Sequence, residues 1–207
     1  MKKNVFGLIG CFFLLLPAVC LGATGWYGSV NAGIAMPADG DITSPGDGSV
    51  EAEYEAGYSI GGAVGSMMDN YRIEGEISYQ ANDVDSLEGI DIGLLGLSMD
   101  TSILAFLFNG YWDFNNDSAF TPYITGGIGF ANVSGEITDG ADSYDGDDTV
   151  FAYQLGFGAG FAVSETVTLD CRYRYLGTAD AEITSAGEKL EIEVASHNIT
   201  AGIRWAF

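Results

Sequence analysis

The sequence predicts an all-β protein, an eight-stranded antiparallel up-and-down transmembrane β-barrel. Three observations carry that expectation. Apolar residues recur at every second position in eight separate segments, the connections between segments alternate between short and long, and every arginine falls on the small-and-polar side of its segment. Alternation at period two sends successive side chains to opposite faces of a sheet, so each segment has one greasy face and one polar face.

The 207 residues leave room for one domain with a sizeable core. Acidic residues number 29 against 7 Lys plus Arg, a formal charge of −22. Nucleic acid is excluded as a partner, because neutralising phosphates takes clustered Lys and Arg. A hydrophobic content of 47% argues against disorder. Thirty glycines, 12 Phe, 11 Tyr and 3 Trp beside only 4 prolines fit short strands and tight turns.

Residues 1–23 read as a cleaved secretory signal peptide and 24–207 as the barrel. Lys2 and Lys3 open a short basic region, an apolar run extends from Val5 to Leu21 around Pro17, and Gly22-Ala23 supplies a small-residue exit. Leu8-Ile9-Gly10-Cys11 also spells a lipobox, but the apolar run continues well beyond it. Removal of the leader takes Cys11 and Cys20 with it and leaves Cys171 as the single thiol. No second run of about 20 apolar residues follows, so no transmembrane helix is expected.

The eight segments follow in order. Trp26, Gly28, Val30, Ala32, Ile34 and Met36 oppose Ser29 and Asn31; Ala52, Tyr54, Ala56, Tyr58, Ile60 and Val64 oppose Glu53, Glu55 and Ser59. Tyr71, Ile73, Ile77 and Tyr79 alternate with Arg72, Glu74, Glu76, Ser78 and Gln80. Leu104, Phe106, Phe108, Trp112 and Phe114 alternate with Asn109, Tyr111 and Asp113. Phe120, Ile124, Ile128 and Phe130 oppose Thr121, Tyr123 and Thr125, and Phe151, Tyr153, Leu155, Phe157 and Phe161 oppose Gln154 and three glycines. Val167, Leu169, Cys171, Tyr173 and Tyr175 oppose Thr168, Asp170, Arg172 and Arg174. Ile199, Ala201, Ile203, Trp205 and Phe207 oppose Asn198, Thr200 and Arg204. Each segment has about the 9–11 residues a tilted strand needs to cross a bilayer.

Short turns are expected at 67–70, 115–118 and 164–166, and long connections at 37–50, 82–101, 135–149 and 177–191. That asymmetry suits a membrane barrel with both termini on the short-turn side. A soluble barrel would carry its apolar parity inside and its charges outside. The charges argue otherwise: Arg72, Arg172, Arg174 and Arg204 share the parity of Gly, Ser and Gln, while the opposite parity is rich in Trp, Phe and Tyr and almost free of charge. Trp26, Tyr71, Trp112, Phe120, Phe161, Trp205 and Phe207 at one end, and Tyr54, Tyr79, Phe130, Phe151 and Tyr175 at the other, form two candidate interfacial girdles.

Thr200-x-Gly202-x-x-Trp205-x-Phe207 ends the chain with a polar residue, a glycine and two spaced aromatics. With Gly25-Trp26-Tyr27-Gly28, Tyr71-Arg72-Ile73-Glu74-Gly75-Glu76, Thr121-Pro122-Tyr123, Tyr153-Gln154 and Tyr173-Arg174-Tyr175, this resembles the OmpA-like or opacity-type eight-stranded barrels over essentially all of 24–207. The resemblance implies a bacterial outer-membrane location, contact with outer-membrane lipid and lipopolysaccharide, and assembly by the barrel assembly machinery through Thr200, Gly202, Trp205 and Phe207. It implies structural or surface roles and no common reaction. The peptidoglycan-binding domain of some relatives is not expected.

An eight-stranded lumen is just wide enough to be filled by side chains. The inward charges, Arg72, Glu74, Glu76, Asp113, Asp170, Arg172, Arg174 and Arg204, are therefore expected to pair into a plug, with Arg72 near Asp113 and Asp170 near Arg204. A gated ion path is the alternative use of the same residues. Asp142, Asp145, Asp147 and Asp148 have oxygen ligands of the kind Ca²⁺ takes, without EF-hand spacing. The segment 87–99 is unexpectedly apolar for a loop and is expected to extend a hairpin, fold over the mouth or contact a partner.

Catalysis finds little support. His197 is the sole histidine, on the lipid parity, and Ser196, Ser164 and Ser185 have no defined His/acid arrangement. Cys171 reads as a buried small hydrophobe. The runs Gly126-Gly127-Ile128-Gly129 and Gly156-Phe157-Gly158-Ala159-Gly160 lack the Lys-Ser/Thr of a phosphate loop and suit sharp curvature. The expected protein is non-enzymatic, with no cofactor, a closed polar interior and acidic external loops, acting in envelope structure or surface interaction. A narrow passive pore, an adhesin contacting a host surface or extracellular ligand, and, last, a lipid-modifying enzyme are the alternatives.

Overall fold

The structure, a computed structural model, describes residues 25–38, 40–44, 48–87, 90–91, 97–139, 142–179, 181–185, 188–192 and 194–207. The leader, 1–23, lies outside the described residues. The strands are β1 (Trp26–Pro37), β2 (Gly40–Ser44), β3 (Gly48–Tyr54), β4 (Gly57–Met68), β5 (Tyr71–Leu87), β6 (Ile90–Asp91) and β7 (Leu97–Asp113). They continue with β8 (Phe120–Asp139), β9 (Asp142–Ala162), β10 (Val167–Thr178), β11 (Ala181–Ser185), β12 (Glu188–Ile192) and β13 (Ala195–Ala206).

Eight of these close a barrel. β1 pairs with β13 and β4, β4 with β5, β5 with β7, β7 with β8, β8 with β9, β9 with β10, and β10 with β13, all antiparallel. Closure leaves the wall no unpaired edge, as hydrocarbon requires of a spanning sheet. Cross-strand partners run from Trp205 of β13 through Gly28, Val64, Gly75, Phe108, Ile128, Tyr153 and Gly177. They return to β13 at Ala195, ten residues from the start. With a rise of about 3.3 Å per residue and strands about 4.8 Å apart, that stagger tilts the strands by about 40° and gives a backbone radius of about 8 Å. Such a bore has room for side chains and little else.

The side chains decide which face is which. Phe106 is 54% exposed and Phe157 60%, whereas Arg72 is 2% and Arg172 5% exposed. The aromatics therefore point outward and the guanidinium groups inward. On β9 the outward band from Phe151 to Phe161 spans ten residue steps, about 25 Å along the barrel axis at that tilt. This matches the apolar belt of outer-membrane barrels. At the lower end, β4 and β5 are joined through Asp69 and Asn70, and Asp69 has φ of 50°, a left-handed conformation that short polar side chains tolerate.

Above the belt the structure departs from the sequence expectation. The long connections 82–101 and 135–149 are largely strand: Asp83 pairs with Asp100 and Val84 with Met99, and β8 and β9 stay in register up to Asp139 and Asp142. The other two long connections each hold a hairpin, β2–β3 and β11–β12. These join one another through β12 and β2 and join the wall through β3 and β5. The segment expected over 52–64 is broken at Glu55 and Ala56, where β3 leaves the wall and β4 begins.

Continuous strands carry an inversion of polarity. On the outward parity, Tyr79, Phe130 and Phe151 give way to the exposed carboxylates Asp83, Glu136 and Asp147. Asp83, Asp100, Glu136 and Asp145 form one cross-strand row, and Tyr54, Val84, Met99, Ile137 and Tyr144 form the next. The acid therefore appears where the wall leaves lipid and meets water. The interior is likewise not uniform. Charged and hydroxyl groups fill the half near the short turns, while Ile103, Leu107, Val133, Val150, Leu176 and Val194 cluster with small alanines in the other half.

Candidate functional site

The lumen brings seven of the eight inward charges into three ion-paired groups and seats the eighth, Glu74, between two tyrosines. Arg72 donates two hydrogen bonds of 2.8 Å to Asp113 on the adjacent strand. Its guanidinium lies over the Tyr111 and Tyr123 rings, 4.1 and 4.8 Å from their centroids. Stacking plus a bidentate carboxylate uses both the planar face and the fork of arginine.

Glu76 is the centre of the second group. Arg174 donates to it at 2.6 Å, Arg172 at 3.1 and 3.3 Å, and Asn109 at 2.9 Å. Both arginines sit on β10, diametrically opposite β5 in the closed strand order, so one carboxylate clamps the bore across its width. Gln154 completes the layer, accepting from Arg174 and donating to Asn109. Arg172 also donates to the Tyr111 hydroxyl at 2.9 Å.

Among the described residues Glu74 has no cation within salt-bridge distance; it accepts hydrogen bonds from Tyr27 at 3.0 Å and Tyr111 at 2.7 Å. In the third group Asp170 accepts from Tyr123 at 2.6 Å and lies 3.9 Å from Arg204, an ion pair without a hydrogen bond. Tyr27, Tyr111, Tyr123, Asn109 and Gln154 are thus integral to the network, although charge counting passes them over. Their signal is parity: each sits on the inward face of its strand.

The glycine-rich runs make space for these groups. A Cβ on Gly158 would lie 2.5 Å from the Tyr123 hydroxyl, and one on Gly160 would lie 3.0 Å from a terminal nitrogen of Arg204. Room for bulky inward side chains, beyond wall curvature, accounts for glycine there. The space left is small. A cavity of about 20 Å³ lies between Asn31, Arg72, Glu74, Arg172 and Arg204, and one of about 10 Å³ between Gln80, Asn82, Ile103 and Val194. These have room for about one or two water molecules each, far below the volume of a metabolite pocket.

The acidic set on β9 is described only in part. Asp147 and Asp148 are neighbours on β9, so they face opposite sides of the sheet, and the side chains of Asp142 and Asp145 lie outside the described residues. Among the described residues no group of three or more His, Cys, Asp or Glu could hold a metal ion. Asp147 instead accepts a hydrogen bond from Asn132 at 3.1 Å. His197 shares a 2.7 Å hydrogen bond with the Tyr173 hydroxyl in the outer aromatic belt, while Ser196 points inward and donates to Gln80 at 3.0 Å. Among the described residues no serine nucleophile stands beside the imidazole. Cys171 is exposed on the lipid-facing wall and not buried as the sequence reading held, because its strand partners there, Ala159 and Ala201, are too small to cover it.

At the extracellular rim, partial burial, a hydrogen bond with Asp83, and the charges of Asp83 and Glu136 push the Asp100 carboxyl above its ordinary range. Thr200 is inward and buried at mid-wall, and at the opposite end Trp205 packs across Gly28 and the Phe207 amide donates to the Trp26 carbonyl at 3.0 Å. The C-terminal residues thereby close the seam between the first and last strands.

Comparison with known proteins agrees with this geometry. The chain is 28% identical over 156 residues to the outer membrane protein PagN of Salmonella typhimurium, which covers 66% of this chain and 65% of that protein. It is 26% identical over 205 residues to a protein of Rickettsia conorii named as an adhesin, covering 87% of this chain and 81% of the other. The crystal structure of Neisserial surface protein A superposes with a TM-score of 0.56 at 20% identity, over 89% of this chain and 98% of that one. The family model for the outer membrane protein beta-barrel domain matches residues 11–207, and the chain is a member of that family, an integral protein of the bacterial outer membrane.

Proposed function

We propose that the protein is a non-catalytic adhesin-type barrel: a plugged membrane anchor that holds a folded, acidic β-surface outside the cell. The observation that carries this reading is the partition of charge along continuous strands. Twenty-two of the 29 acidic residues lie at 37–57, 82–101, 133–150 and 177–195, with Lys189 as the sole Lys or Arg in those stretches. Register ties these stretches into the barrel wall through β12–β2 and β3–β5, so the surface is presented on a pre-ordered scaffold. The adhesin name of the Rickettsia relative agrees with such a role.

Export by cleavage after Ala23, assembly through Thr200, Gly202, Trp205 and Phe207, and contact with lipopolysaccharide belong to the same reading. The carboxylate row above the belt would meet lipopolysaccharide phosphates through divalent cations, because like charges repel directly. Among the described residues, the small luminal cavities and the pairing of His197 with Tyr173 give a pore and an enzyme less support than the charge partition gives this reading.

The test is adherence of bacteria displaying the protein to cultured host cells. Replacing residues 40–54 and 181–192 by short turns should abolish adherence while the barrel still inserts. Adherence unchanged by those replacements would refute the proposal.

A further inference from the structure

We infer that the bore is closed by two seals in series, one charged and one uncharged, and that either seal alone blocks ion passage. The charged seal is the Arg72–Asp113 pair and the clamp of Arg172 and Arg174 on Glu76. The second seal begins at Leu107, the cross-strand neighbour of Glu76, and runs toward the extracellular mouth.

Its one wall is apolar, with Ile103, Leu107, Val133 and Leu176 each at most 4% exposed. Its other wall is a neutral hydrogen-bonded ladder. Ser196 donates to Gln80 at 3.0 Å, Gln80 to Asn82 at 2.9 Å, and Asn82 to the carbonyl oxygens of Ala35 and Glu55 at 3.1 Å each. Between Arg174 and Asp148, which is half-buried beside Val133 at the rim, the described inward residues carry no charge. The cavity between the two walls is about 10 Å³.

The two seals act by different physics. In the charged layer a migrating ion finds groups able to replace its water, provided the ion pairs yield. In the uncharged layer the apolar wall offers an ion nothing in place of its water and the amides of the other wall are engaged with one another, and a constriction of this kind stays closed by excluding water. Neutralising the ion pairs therefore leaves a dry barrier intact, and wetting the dry barrier leaves the ion-pair plug intact.

The processed protein in planar lipid bilayers provides the test, with folding of every variant checked by the mobility difference between boiled and unboiled samples. One variant neutralises the whole charged seal with Arg72→Gln, Asp113→Asn, Glu76→Gln, Arg172→Gln and Arg174→Gln, a second carries Ile103→Ser, Leu107→Ser and Val133→Ser, and a third carries all eight. The first two should give no single-channel steps beyond protein-free bilayers, and the third should give resolvable steps. If the triple serine set prevents folding, Leu107→Ala with Val133→Thr takes its place in both variants. Conductance from either partial variant, or silence from the folded combined variant, overturns the inference.

Discussion

Glu76→Gln is the sharpest test of how the lumen is held together. The substitution keeps the shape of the side chain and one acceptor oxygen but removes the charge that Arg172 and Arg174 share at 3.1 and 2.6 Å. Both guanidinium groups are at most 5% exposed, so water cannot easily replace the carboxylate. Removing one partner of a buried ion pair costs about 3–5 kcal/mol because the other charge stays behind. Here two charges stay behind, which places the expected loss at the upper end of that range. Reversible urea unfolding in lipid vesicles measures it. Adding Arg174→Gln removes one of the stranded charges, so the double variant should be less destabilised than the two single losses summed, by about 1–3 kcal/mol. A loss below about 1 kcal/mol for Glu76→Gln, or strict additivity in the cycle, would refute the cross-bore clamp.

Other expectations follow from the same geometry. Gly158→Ala should cost about 1–3 kcal/mol in the same assay, since its Cβ would press on the Cys171 backbone carbonyl and displace the Tyr123 hydroxyl from Asp170. Phe157→Arg, on the lipid face, should cost about 2–4 kcal/mol in vesicles, where a water-facing wall would show almost no change. Asp100→Asn should raise the urea midpoint at neutral pH and leave it unchanged near about pH 3. The folded state holds the Asp100 proton more tightly than the unfolded chain, so this residue destabilises above its raised pKa and has no effect below the ordinary carboxylate range. Deleting Phe207, whose amide ties the last strand to Trp26, should lower the amount recovered in outer-membrane fractions of expressing cells.

The transmembrane wall is legible in the sequence because lipid imposes one rule on every strand: apolar outward, everything else inward. Trp205, Phe106 and Phe157 obey it, and so, in the opposite sense, do Arg72 and Arg172. Neighbour pairs are also within reach of such reasoning, because Arg72 and Asp113 sit at the same end of adjacent strands. The clamp on Glu76 is not, since it joins opposite walls 96 and 98 residues apart in sequence and depends on the stagger of the barrel. The extracellular strands are hidden for a different reason. Their alternation continues, but its meaning reverses where lipid ends, so Val84 and Met99 look like misplaced apolar residues in a loop until Asp83 and Asp100 are seen beside them.

That reversal bears on how the molecule presents itself. In β5, β7, β8 and β9 the hydrogen-bond ladder that spans the bilayer runs on past the aromatic girdle without a break in register. The backbone emerging from the membrane is therefore already paired, and the entropy cost of ordering it is met by folding instead of at the moment of contact with a partner. Flexible loops on the same anchor would lose that freedom each time they bound. A partner would thus meet a fixed array of carboxylates at strand spacing, about 4.8 Å between neighbours in a row such as Asp83, Asp100 and Glu136. Recognition on such a surface selects for matched charge spacing before it selects for sequence. Lengthening the connection between β3 and β4 at Glu55 and Ala56 should therefore weaken adherence without altering a single acidic residue.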